Sequence, residues 1–161
     1  MEDVIERRKE GLKRLKTADH MLNVMYPSLQ EPKILLAALE NIFLGLTYSL
    51  SALLYYEINL KRIPKFKDNF ESKFRMFRNR LCLRYEFDKS FIFLLHNVKL
   101  LVEKHSESPM EFSRKNKFMI SDKDYNISEL TWDQLNAFLN KSIEFYKRVY
   151  KITTSNEVYG K

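Results

Sequence analysis

Ile34-Leu35-Leu36-Ala37-Ala38-Leu39-Glu40-Asn41-Ile42-Phe43-Leu44-Gly45-Leu46-Thr47-Tyr48-Ser49-Leu50-Ser51-Ala52-Leu53-Leu54-Tyr55-Tyr56 is the stretch whose reading decides the fold. It carries a single charged side chain, Glu40, and is long enough for a helix that crosses a bilayer. Its polar groups point elsewhere. Asn41, Tyr48 and Tyr55 recur every seven residues, and Thr47, Ser49 and Ser51 lie between them. Lipid gives such groups no partners, whereas a helix at the centre of its own domain can satisfy them. Leu36, Leu39, Phe43, Leu46, Leu50 and Leu53 are then core. Pro32 suits the first position of this helix, which is expected to reach Leu60.

The elements on either side have helical periodicity too. Leu12, Leu15, Ala18, Leu22 and Met25 form one apolar stripe, predicting a helix from Glu2 to Met25 that Tyr26-Pro27 ends. A basic connector, Lys61 to Lys67, leads to a third helix. Asp68 is its expected N-cap, with Glu71 completing a capping box. Phe70, Phe74, Phe77 and Leu81 share its inner face. At 100° per residue, Lys73, Arg80 and Arg84 line one flank, and Arg75 and Arg78 the other. A fourth helix is read from Asp88 to His105, with Phe91, Leu94, Leu95, Val98, Leu101 and Val102 inward. Thr131 and Gln134 form a capping box for the last helix, stapled by Leu130 and Leu135. Its apolar face continues through Leu139, Ile143, Tyr146 and Tyr150.

The expected class is therefore all-α. It is one bundle of about five helices over residues 1–161, with two long antiparallel N-terminal helices. Residues 106–130 are read as a loop with room for a small β-hairpin, Lys117–Ile120 and Tyr125–Ile127 flanking Ser121–Asp124. Residues 155–161 are read as a frayed tail. With only three glycines and four prolines in 161 residues, a sandwich or barrel is disfavoured. Hydrophobic residues at 45% and aromatics at 14% argue against a disordered chain.

The net charge is +7, and residues 61–84 account for it, with nine basic and two acidic side chains. A local excess of this kind is the footprint of a surface that meets phosphates. Cys82 is the single cysteine, so no internal disulfide forms. No basic n-region and apolar h-region open the chain, and a cytoplasmic protein is the default expectation.

Catalytic signatures are scarce. His20, His96, His105 and Cys82 have no metal-ligand spacing, and Gly11, Gly45 and Gly160 are too far apart for a phosphate loop. No cofactor is expected. Cys82 reads as a small buried hydrophobe. Glu40, set in apolar surroundings, is expected to be desolvated and to find a partner, such as an arginine of the third helix.

The helix order, with its second helix almost wholly apolar and its third short and basic, resembles the HEPN superfamily of small helical bundles. Phe77-Arg78-Asn79-Arg80-Leu81 begins like the arginine-polar motif of its RNase members, but no histidine follows within four to six residues. Arg14 to His20 matches that spacing only by chance, since six helical residues turn the two side chains apart. The resemblance implies a non-catalytic bundle that binds RNA or another nucleic acid. Lys61, Arg62, Lys65, Lys67, Lys73, Arg75, Arg78, Arg80 and Arg84 would contact phosphates. Two other readings stand beside it. One is a protein-interaction module, either a homodimer or the helical partner of a nucleotidyltransferase-type subunit. The other is a divergent ribonuclease using Arg78, Arg80 or Arg84 for transition-state charge, with Tyr85, Glu86 or His96 as acid or base. No membrane partner is expected.

Overall fold

In the computed structural model the described residues are 2–107, 111–114, 117–121 and 127–159, with side chains described for 2–105 and 130–155. The first rod is α1 (Glu2–His20), a π turn (Met21–Met25) and α2 (Tyr26–Leu29). Next come α3 (Pro32–Asn59), α4 (Phe70–Met76), a second π turn (Phe77–Leu81) and α5 (Cys82–Arg84). Then follow α6 (Lys89–Glu107) and α7 (Trp132–Tyr159). Between α6 and α7, β1 (Glu111–Arg114), β2 (Lys117–Ser121) and β3 (Ile127–Leu130) form an antiparallel sheet in that order. Glu111 faces Ile120, and Phe118 faces Leu130. Of the expected hairpin, Ser121, read as the start of the turn, ends β2, and residues 122–126 lie outside the described residues. The result is a helical bundle, the class its periodicity implies.

α3 is long and apolar enough to cross a membrane by length and composition. In this fold fifteen of its 28 residues are buried, so the other helices cover it. Leu39, Leu46, Leu50 and Leu53 are core as expected, while Leu36 and Phe43 are only partly buried. α1 meets α3 at two glycines. A Cβ on Gly45 would sit 2.5 Å from Leu15 Cδ2, and one on Gly11 would sit 2.9 Å from Ser49 Oγ. Missing side chains let the backbones approach here. Farther along, Arg7 lies 4.1 Å over the Tyr55 ring and Asn41 reaches Met21.

The first rod does not stop at Tyr26-Pro27, as its sequence suggests. The π turn spends the Tyr26 N–H on Met21 O, and Pro27 has no N–H, so the Leu22 carbonyl loses its helical donor. The Trp132 indole supplies one at 2.7 Å. With that carbonyl satisfied, the helix continues to Leu29 and ends at Gln30, which is left-handed (φ 51°).

Two other expectations are corrected. The N-cap of α4 is Asn69, whose side chain accepts from Ser72 N at 2.8 Å, while Asp68 pairs with Lys73 Nζ at 2.7 Å. That ion pair and hydrogen bond hold the Asp68 carboxyl below its ordinary range. The backbone of α7 stays helical to Tyr159, where fraying is expected from Ser155. Thr153, Thr154 and Ser155 donate to carbonyls of the preceding turn, and the buried Arg8 side chain grips Thr153 Oγ1 at 3.0 Å. At the other end of α7, Thr131 accepts from Gln134 N at 3.1 Å, the cap its sequence calls for.

Candidate nucleic-acid interface

The basic segment starts where α3 ends. Lys61 is left-handed (φ 59°), Lys61 N bonds Ile58 O and Arg62 N bonds Glu57 O, the pattern of a Schellman cap. α5 ends in the same way at Glu86 (φ 56°), with Phe87 N on Cys82 O and Glu86 N on Leu83 O. Both left-handed positions, commonly glycine, are taken by charged residues in a glycine-poor chain. Glu86, a candidate acid on sequence, is thus the exposed left-handed residue of a helix cap.

Aromatic packing fixes what lies between the two caps. Phe77 is fully buried and meets Phe87 at 5.1 Å and Phe145 at 5.6 Å. Phe70 stacks on Phe74 at 5.6 Å and meets Phe43 at 5.7 Å. The inner face expected of the third helix is therefore real, but its winding is not uniform. Over five α-helical residues two side chains diverge by about 140°. A π turn bonds i to i+5 and winds less per residue, so Phe77–Leu81 swings Arg80 back toward Arg75.

Arg75 and Arg80 line one cleft of about 610 Å³ with Lys65, Lys67, Phe66, Asn69, Glu71, Ser72, Met76 and Asn79. Four cations there face one carboxylate. None of the four forms an ion pair among the described residues. Phe66, held edge-on to Tyr55 at 5.6 Å, and Met76 supply apolar wall. Asn79 adds an amide.

The other basic residues diverge. Lys61 is exposed at its cap. Lys73 is tied to Asp68. Arg78 lies 5.7 Å over the Phe74 ring, which also stacks on His96 at 6.5 Å. Arg78 and His96, eighteen residues apart, thus share one phenylalanine. Glu86 is elsewhere, at the cap of α5.

Arg62 and Arg84 turn inward to a residue that sequence reasoning passed over. Glu57 has no exposure at all, yet Arg84 NH1 bonds its Oε1, and its Oε2 takes the Tyr85 hydroxyl at 3.0 Å and Arg62 NH1 at 3.4 Å. Burial, then the bond to Glu57, pushes the Tyr85 phenol up to about 12. Glu40, the acid expected to be desolvated, is half exposed, with His105 Nε2 at 3.6 Å. The one available signal for Glu57 was its place just beyond the uncharged run, five residues before an arginine. Cys82 is buried, and that burial raises its thiol to about 11. Among the described residues no cluster of His, Cys, Asp and Glu would hold a metal ion.

The chain was compared with known protein families, curated proteins and solved structures, and none of them matches it.

Proposed function

We propose that this chain is a non-catalytic, HEPN-like helical-bundle module that binds RNA or another nucleic acid through the basic surface of its third helical rod. In this reading the two long N-terminal helices are an antiparallel scaffold on which that rod is mounted. The observation that carries the proposal is the cleft between the connector and α4, where Lys65, Lys67, Arg75 and Arg80 gather unpaired. Cations without carboxylate partners hold a positive potential that phosphates relieve, at an affinity that falls with salt. Phe66, Met76 and Asn79 give an unstacked base a surface and a hydrogen-bonding group. Arg62, Lys73 and Arg84 have partners within the chain, so they contribute less than their charge suggests.

The test is binding of labelled single-stranded RNA to wild type and to an Arg75→Ala/Arg80→Ala variant, with the RNA recovered afterwards. Binding that drops in the variant, with RNA intact, supports the reading. Cleaved RNA would point to the divergent ribonuclease, with Arg78 and His96 beside Phe74 as the first residues to replace. Absence of binding at low salt would leave the protein-interaction reading, for which Leu83, 88% exposed, and Phe93 are candidate contacts.

A further inference from the structure

A second basic cleft, of about 430 Å³, joins two parts of the chain that are distant in sequence. Arg62 comes from the basic segment and Tyr85 from just beyond it, Arg148, Lys151, Ile152 and Ser155 come from α7, and Tyr56 of α3 completes the cleft. Sequence bookkeeping hides this cleft, because residues 85–161 are nearly balanced in charge.

Its two guanidinium groups are held from behind. Arg62 NH1 bonds Glu57 and the Tyr85 hydroxyl. Arg148 donates to the carbonyls of Tyr85 and Glu86 and lies 4.2 Å over the Phe87 ring. Carbonyl oxygens and a ring orient the Arg148 charge without cancelling it. A guanidinium has five N–H donors, so both arginines keep donors beyond those bonds. Lys151 is exposed and forms no ion pair among the described residues. No carboxylate lines the cleft among the described residues, and the charge of Glu57 beneath is already matched by Arg62 and Arg84.

We propose that this second cleft binds a phosphate group, either inorganic phosphate or the terminal phosphate of a phosphomonoester. Two preset guanidinium groups and one exposed ammonium suit a tetrahedral dianion better than a single carboxylate, because each adds a charge-assisted bond. Tyr56 and Ile152 give the ester's organic part an apolar wall. The proposal does not rest on the nucleic-acid reading of the first cleft, whose residues are different.

The experiment is calorimetric titration of the full chain with inorganic phosphate at constant ionic strength, with chloride as the control. Lys151→Ala should weaken phosphate binding about tenfold, the value of one charge-assisted contact. Lys151→Glu should abolish it, and Lys147→Ala, at an exposed α7 cation that lines neither cleft, should leave it unchanged. Lys151 is exposed, so neither of its variants threatens the fold. A 5′-phosphorylated oligoribonucleotide compared with its 5′-hydroxyl form separates the two sources. Tighter binding of the phosphorylated form, lost in Lys151→Ala, identifies a strand end. No gain, with inorganic phosphate still bound, identifies a free phosphate compound. No binding of phosphate, equal binding by Lys151→Ala and wild type, or loss in Lys147→Ala overturns the proposal. Failure of the first cleft would appear separately, as RNA affinity indifferent to Arg75→Ala/Arg80→Ala.

Discussion

A carboxylate with no exposure must have its charge matched inside the protein, and around Glu57 two arginines and a phenol do so. This has a consequence for pH. The Tyr85 phenol rises from an ordinary 10.0 to about 12 in the folded protein, so the folded state holds its proton more tightly than the unfolded state. Its contribution to stability is complete below pH 10 and is lost as pH rises through about 12. Urea midpoints measured across that window should fall more steeply for wild type than for Tyr85→Phe. Parallel curves would show that the fold does not hold the Tyr85 proton more tightly than the unfolded chain. Apart from the place of Glu57 five residues before an arginine, this network was not legible in sequence, because Arg62 and Arg84 read as members of a basic run. Only the fold reveals that they face an acid rather than solvent.

At the scale of elements, apolar periodicity located every helical rod, and local chemistry set the ends. Thr131 and Gln134 gave the start of α7 correctly, because a capping box is a short-range device complete in four residues. The end at Pro27 was misread, because a distant indole takes over the carbonyl that the π turn and proline leave without a donor. Trp132→Phe should therefore cost about 1–2 kcal/mol in wild type by orphaning that carbonyl. In a Pro27→Ala background, where residue 27 regains an N–H, the cost should fall by about 0.5–1 kcal/mol. A double-mutant cycle measured by urea denaturation checks this, and additive costs would refute the link. The left-handed caps make a second element-scale prediction. Lys61 is exposed at φ 59°, so Lys61→Gly should relieve backbone strain and stabilise the protein by roughly 0.5–1 kcal/mol. A lower thermal midpoint for Lys61→Gly would contradict that account of the cap.

Across the whole molecule, the sequence showed that charge is concentrated in residues 61–84 but not how the fold would share it out. A uniform 100° wheel sets Arg75 and Arg80 on opposite flanks. A π turn, which has no reliable sequence signature, brings both to one cleft. The same segment sends Arg62 and Arg84 to Glu57 and Lys73 to Asp68. Of the nine basic side chains expected to meet phosphates, four line the first cleft, and α7 adds cations to the second that no local count could assign. These four side chains are proposed to carry nucleic-acid binding. The most direct test is the salt dependence of single-stranded RNA affinity in wild type and in Arg75→Ala/Arg80→Ala. Four contacts predict a slope of log affinity against log salt of about −2.8, and loss of two predicts about −1.4. Equal slopes in the two proteins would contradict the account, because the cleft would then release no counterions on binding.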